Sequence, residues 1–334
     1  MPQAFKEYAL CLEEVYRKAF DILRYPDTGP LEFKIEVGGL PQDFLSPARN
    51  IFSSLFQSVY HILGIDERRR MLYGKLNHLF RIWVTSADNL LDSEDKIVIP
   101  LSMKGNSRTM RQVLSIMAAD RVLARLLDEA REEGVVSSAQ AELLSRLSLE
   151  VLLPSAAEEA SEEGGITDRP EPSYILQTIH RLKTGLLFHI PFLGPENIES
   201  RVDETLLHRC KYALDKFGLG CQMLDDIRDI ARDYLERRHN YVLSKMRWDN
   251  KTAYLDFLEQ ARDGLNSSSN IFSYFPETVC PAAELAIDLL SEGMRVLDIC
   301  GLAAGGHRVS AMAFSMFKVL GVEEALELKE AVPL

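Results

Sequence analysis

The sequence predicts an all-α protein, and three observations carry that expectation. Apolar residues recur at helical spacing along most of the chain, as in Leu72, Leu76, Leu79, Phe80 and Trp83. Alternating, strand-like runs are nearly absent. The breaks between periodic stretches are short and rich in turn residues, falling at 26–47, 154–172, 193–200 and 266–281. None of them has the composition of a flexible interdomain linker, and no repeat recurs at a fixed period. A single helical domain over residues 1–334 is therefore expected.

Composition narrows the function classes. A hydrophobic content of 46% supplies a substantial core, and a net charge of −12 disfavours a partner held by a basic surface, such as duplex nucleic acid. An anionic substrate would need a local positive device, and metal bound to clustered carboxylates is one. Cys11, Cys210, Cys221, Cys280 and Cys300 are dispersed with no CxxC pair, so neither a disulfide framework nor a zinc site is indicated and a reducing cytoplasm is expected. The N-terminal stretch with Lys6, Glu13, Glu14, Arg17 and Lys18 reads as an amphipathic helix rather than a signal peptide, and no run reaches membrane-spanning length. The seven histidines form no HExxH pair, and there is no glycine-rich dinucleotide loop.

The first acidic cluster, Asp88-Asn-Leu-Leu-Asp92 with Glu94 and Asp95, ends a long amphipathic helix. Residues four apart share a helical face, so Asp88 and Asp92 can present two carboxylates to one point. Like charges held that close call for a cation, and magnesium suits hard oxygen ligands. A solvated acidic face is the alternative for such a pair taken alone. The acidic stretch 157–172, with Gly164 and Gly165, has little to bury and reads as a solvated connection, with a mobile lid as the alternative.

In Tyr174 to Phe188, Lys183 and Thr184 interrupt an otherwise apolar helix. A cation beside carboxylate sites is what a diphosphate needs, and a lysine snorkelling to the surface is the alternative. The second acidic cluster runs Gln222-Met-Leu-Asp225-Asp226-Ile-Arg-Asp229, with Asp233 one turn on. Asp225, Asp229 and Asp233 share a face, Gln222 can reach a carboxylate from it, and Leu214, Phe217, Cys221, Leu224 and Ile227 continue the apolar side. Gly218 and Gly220 upstream point to close packing of a neighbouring helix.

In this order the three segments resemble the aspartate-rich first motif, the lysine-threonine motif and the glutamine-aspartate second motif of trans-prenyl diphosphate synthases, within the class I isoprenoid synthase superfamily. The similarity spans roughly residues 70–245, and the segment Arg108 to Leu127, containing Ser115 to Asp120, also resembles the helix after the first motif. The resemblance implies a helical bundle around a deep apolar cavity, with a homodimer possible. It implies two magnesium ions at Asp88 and Asp92, a third at Asp225 with Asp229 nearby, and Lys183 on the diphosphate of an allylic substrate. Thr184, Gln222, Lys104 and Arg108 join the implied binding set. Phe188, Phe192 and Phe217 are candidates to face an allylic cation. Val84 and Trp83 take the family's cavity-floor positions, implying a prenyl chain of about ten to twenty carbons, with Trp83 as ordinary core the alternative.

Departures shape the expected reaction. Asn89 stands where the first motif has a second aspartate, and Lys104-Gly105 with Arg108 is the nearest substitute for the usual arginine pair. No glycine-lysine-arginine motif for isopentenyl diphosphate is found; Arg68, Arg69 and Arg70 have the wrong spacing and read as a solvated turn. The expectation is thus an enzyme that ionises one allylic diphosphate and cyclises or quenches the cation, with chain elongation as the alternative. Arg228 to Asp233 after Gln222 also resembles the second motif of head-to-head squalene and phytoene synthases. A non-catalytic partner subunit and a scaffold without diphosphate chemistry complete the alternatives.

Overall fold

Helical periodicity is realised along nearly the whole chain. The computed structural model describes residues 2–24, 35–92, 94–103, 107–266, 269–302 and 306–328. In chain order the helices are α1 (Pro2–Leu23), α2 (Ile51–Ile62), α3 (Glu67–Leu91), α4 (Arg108–Glu132), α5 (Ser138–Glu150), α6 (Leu153–Glu162) and α7 (Pro172–Tyr174). They continue with α8 (Leu193–Asn197), α9 (Glu204–Arg228), α10 (Ile230–Leu235), α11 (Tyr241–Trp248), α12 (Thr252–Ala261), α13 (Pro276–Leu297) and α14 (Gly306–Val319). α7 runs on through wide turns at Ile175–Ile179 and Arg181–Gly185 and tighter ones at Leu186–Phe192. A two-residue antiparallel ribbon, β1 (Glu36–Val37) with β2 (Leu101–Ser102), pairs Glu36 with Ser102 and is the only sheet among the described residues. Among those residues no helix is long and apolar enough to cross a membrane.

The chain packs as two compact units. Unit one comprises Met1–Leu149 with Ile190–Asp203, and its frame is α1, α2, α3 and α4. Asp66 caps α3 by accepting from the Arg69 backbone N–H at 3.2 Å. From there Leu72, Leu76, Leu79 and Phe80 turn inward, among buried partners such as Leu12 and Val15 of α1 and Val122 and Leu126 of α4. Each such leucine contributes on the order of 2 kcal/mol by leaving water. Ser107 caps α4 through the Met110 N–H at 3.3 Å, and the helix that the resemblance implies over 108–127 forms and extends to Glu132.

The arginines expected in a solvated turn instead occupy the first turn of α3 and hold the unit together. Arg70 grips Glu7 through Nε and Nη2 at 3.1 and 2.9 Å. Arg69 reaches Glu199 at 2.8 Å, and Arg68 donates to the Glu133 carbonyl at 2.8 Å. The break expected at 193–200 is half helical, because α8 lies over α3: a Cβ on Gly194 would fall 2.4 Å from the Tyr73 ring.

Unit two comprises Glu150–His189 with Glu204–Leu334 and centres on α9 packed against α13. A Cβ on Gly293 would sit 2.5 Å from the Ala213 carbonyl oxygen, and one on Gly220 2.7 Å from Leu290 Cγ. Only glycine admits that helix approach, as the small residues predict for Gly220. The break expected to run to residue 281 ends earlier, since α13 begins at Pro276, with proline in the first turn where its missing N–H costs nothing.

The acidic stretch expected as a solvated connection is the largest departure. It is helical to Glu162, whose side chain is fully buried. Beyond it, Ile166 N–H bonds the Arg237 carbonyl at 2.8 Å and Arg237 returns a bond to the Ile166 carbonyl at 2.6 Å. A composition of Glu and Ser hides this, because the buried carboxylate is stabilised by a cation remote in sequence.

Candidate functional site

The second acidic motif lies at the junction of α9 and α10, where successive side chains divide between two faces of the helix. Asp226 turns inward, 2% exposed, on the side of Met223 and Ile230. Its Oδ2 meets His180 Nε2 at 2.9 Å and accepts from the Tyr241 N–H at 2.5 Å. Its Oδ1 accepts from Gln222 Nε2 at 3.1 Å, and the Gln222 carbonyl in turn takes the Thr184 hydroxyl. Asn240, the cap of α11, donates to the Asp226 carbonyl at 2.7 Å and to Asp233 at 2.8 Å. Burial pushes the Asp233 carboxyl well above the usual range, with Asp226 adding to the effect. Residues 180–184, the end of α9 and the start of α11 are thus joined by one polar network.

Lys183 belongs to the same neighbourhood and does not snorkel to the surface. Its Nζ lies 2.7 Å from Glu162 Oε2 and 3.4 Å from Glu159 Oε1, both on α6. Burial alone would lower its pKa, and the two carboxylates outweigh that and raise it. Glu159 also receives Arg238 at 3.0 Å. Glu158, Glu162 and His239 bring one ligand atom each within 4.8 Å of one another, yet the charge of Lys183 already balances this group.

Asp225 and Asp229 occupy the other face. Arg228 donates to Asp229 from Nε at 2.9 Å and Nη2 at 2.7 Å and pairs with Asp225 as well; Arg232 reaches Asp229 at 2.6 Å. Phe188 packs on Gly218, where a Cβ would lie 2.7 Å from its ring, and stands 6.0 Å from Phe217 between centroids. Both rings are buried in unit two, and Phe192 is buried in unit one.

In unit one, Asp88 and Asp92 end α3 one turn apart, the Asp92 N–H bonding the Asp88 carbonyl at 2.8 Å. Asp88 is exposed and Asp92 partly so. Asn89 turns away, 2% exposed, and donates to the Lys96 carbonyl at 2.8 Å. Arg111 of α4 grips Asp95 at 2.6 and 2.9 Å, tying down the segment that follows. Trp83 donates from Nε1 to the Ile116 carbonyl at 3.3 Å and meets Phe80 edge-on, while Val84 is half-buried. Arg108 is exposed at the start of α4, and Lys104 lies outside the described residues. A crevice of about 270 Å³ opens elsewhere in this unit, but Glu14, Lys75, Glu129 and Glu133 among its walls do not suit a prenyl chain.

The two acidic pairs therefore differ as metal sites. Asp88 and Asp92 offer two hard oxygen donors on one helical turn, which fits magnesium. Asp225 Oδ1 and both carboxylate oxygens of Asp229 are engaged by guanidinium groups, so the expected third ion at Asp225 meets an arginine. The sequence assigned no role to His180, Asp226, Arg228 or Glu162. Arg228 and Arg232 were legible, three residues from Asp225 and Asp229 respectively, a spacing at which helical ion pairs form.

This architecture is the isoprenoid synthase fold. The chain superposes on geranylgeranyl pyrophosphate synthetase from Pyrococcus horikoshii with a TM-score of 0.58 at 13% identity, covering 94% of this chain and 98% of that one. Polyprenyl synthetase from Streptomyces coelicolor gives 0.57 at 14% identity over 93% and 97%. Geranyltranstransferase from Thermotoga maritima gives 0.51 at 18% over 94% and 98%. At these identities the likeness establishes the fold. No protein-family model matches the chain, and no curated protein matches it by sequence.

Proposed function

We propose that this chain is a class I isoprenoid enzyme of the prenyl diphosphate synthase type. It binds an allylic prenyl diphosphate and expels the diphosphate; the alkene of isopentenyl diphosphate captures the carbocation, and loss of a proton to the released diphosphate restores a double bond. The observation that carries this reading is the bonded run Thr184, Gln222, Asp226 and His180. It joins two segments whose resemblance to the family's motifs is independent of their contact. The fold shared with three synthases that make or elongate prenyl diphosphates supports the same reading.

Lys183 supplies positive charge to the departing diphosphate once it exchanges Glu162 and Glu159 for phosphate oxygens. Asp226 holds Gln222 and His180 in place, so that Thr184 and Gln222 are preset beside the lysine. Asp88 and Asp92 are the residues that would hold magnesium, which when bound neutralises charge on the leaving group. The buried pair Phe188 and Phe217 offers ring faces of the kind that stabilise a cation in a dry site.

A second reading, in which the cation is cyclised or quenched without isopentenyl diphosphate, is favoured by one observation. Arg68, Arg69 and Arg70 are committed to Glu133, Glu199 and Glu7, so the N-terminal third does not offer them to a second diphosphate. Incubation with farnesyl diphosphate, labelled isopentenyl diphosphate and magnesium separates the two. Label in a longer prenyl diphosphate supports elongation; hydrocarbon or alcohol products without label turn the assignment to the second reading.

A further inference from the structure

In unit two, Glu162 of α6 holds a buried charge against a residue that substrate binding would draw away. Its side chain is 0% exposed, its Oε2 takes the Lys183 ammonium at 2.7 Å, and its Oε1 accepts from the His239 backbone N–H at 3.3 Å. Glu159, one turn earlier, differs on both counts. Its side chain is 28% exposed, and it keeps Arg238 at 3.0 Å when Lys183, 3.4 Å away, departs.

The other charged and titratable groups around Glu162 do not take the lysine's place. Glu158, on the same helix, and Asp233 of α10 add negative charge to the neighbourhood. Burial, with the charges of Lys183 and Arg169 adding to it, holds the nearby His239 ring at about 4, so it is uncharged near neutrality. Arg169 donates to the Arg238 and Asp233 carbonyls at 2.8 and 3.4 Å, and Arg238 bonds Glu159 and Glu236. Burial already pushes the Glu162 carboxyl above its usual range, and the charge and hydrogen bond of Lys183 are the main influences against that rise. An ionised carboxylate that is fully buried and stripped of its cation is costly, and taking a proton relieves the cost.

We propose that a diphosphate binds together with one proton, which passes from solvent to Glu162: as the Lys183 ammonium turns to the phosphate oxygens, the carboxylate it leaves becomes a neutral carboxylic acid. This proton site rests on the diphosphate-enzyme reading, in which Lys183 exchanges its α6 partners for phosphate. The proton takes the place at Oε2 that Lys183 vacates, while the His239 N–H still serves Oε1. Because the occupied site holds a proton that the free site lacks, diphosphate affinity falls as pH rises, by up to about tenfold per pH unit for one whole proton.

The test is titration calorimetry of inorganic pyrophosphate with magnesium into the full-length protein, in buffers of different ionisation enthalpy, which counts the protons exchanged. The parent is expected to take up about one proton more than Glu162→Gln, a difference in which the ligand's own protons cancel. Its affinity is also expected to fall with rising pH relative to that variant. In the parent alone, the infrared difference spectrum on pyrophosphate binding is expected to gain the band of a protonated carboxyl, and this decides the matter if Glu162→Gln does not fold. Equal proton counts in the parent and a folded Glu162→Gln overturn the proposal, as does the absence of that band. A parent protein that binds no pyrophosphate overturns the diphosphate-enzyme reading as well, whereas tight binding with equal proton counts removes only the proton site.

Discussion

The two acidic clusters are built from the same spacing and differ in burial and in the residues placed between their carboxylates. At the end of α3, Asp88 and Asp92 are separated by an amide and two leucines, and Asp88 is open to solvent. At the end of α9, Asp225 and Asp229 are separated by residues that include Arg228, and Asp229 is buried beneath two guanidinium groups. Spacing decides which carboxylates share a face, and the residues between them decide whether a guanidinium from the same motif reaches that face. An aspartate-rich motif read without its intervening residues misses an ion pair of this kind.

The largest expected effect falls on the first cluster. Asp88→Asn or Asp92→Asn should lower pyrophosphate release by about 100-fold or more, as expected for removing charge stabilisation from a leaving group. Asp225→Asn should cost about 10-fold or less, because Arg228 keeps Asp229 as its partner; steady-state kinetics would read both. Equal losses at the two clusters would erase the distinction drawn between them.

The next effect is on stability. Asp229→Ala removes three charged hydrogen bonds but leaves Arg228 paired with Asp225 and Arg232 near Asp233, and should cost about 2 kcal/mol in urea unfolding. Asp88→Ala, exposed, should cost less than about 0.5 kcal/mol.

Glu7 sharpens the comparison as a buried carboxylate bound by arginine away from either acidic cluster. Burial pushes its pKa up, but hydrogen bonds from Arg70 and Gln57 and the charges of His61 and Arg70 overcome this and hold it at about 2, below the usual 4.5. A carboxylate depressed in the folded state stabilises above its unfolded pKa. That stability, about 3 kcal/mol, is fully present above pH 4.5 and is lost as pH falls toward 2. Glu7→Gln should flatten the stability profile between pH 5 and 3, measured by urea midpoints.

The smallest effect concerns Lys183. Glu162→Gln removes one of its two carboxylate partners on α6, and pyrophosphate affinity by calorimetry should rise about 5-fold, the scale of one weakened competing bond. A fall in affinity would show that Glu162 orients the lysine instead of competing for it.

Local pattern carried most of the fold. α3 ending at its aspartates and the glycine-dependent contact of α9 follow from periodicity and small residues, and α4 opening at Arg108 from the resemblance. What it could not carry were partners distant in sequence. α6 looked solvated because Lys183, which neutralises Glu159 and Glu162, lies twenty-one residues beyond Glu162. Arg69 and Arg70 looked solvated because Glu199 and Glu7 are far away along the chain. Asp226 is the intermediate case: its placement three residues after Met223 and four before Ile230 marks the inner face, but His180 as its partner had no local signal.

The central claim is that these residues ionise an allylic diphosphate. The most direct measurement is pyrophosphate release from geranyl, farnesyl and geranylgeranyl diphosphates with magnesium, with and without isopentenyl diphosphate, in the parent protein, Asp88→Asn and Lys183→Gln. The account predicts release from at least one substrate, greater with isopentenyl diphosphate and lost in both variants. Absence of release from every substrate, or release that survives both substitutions, would contradict it.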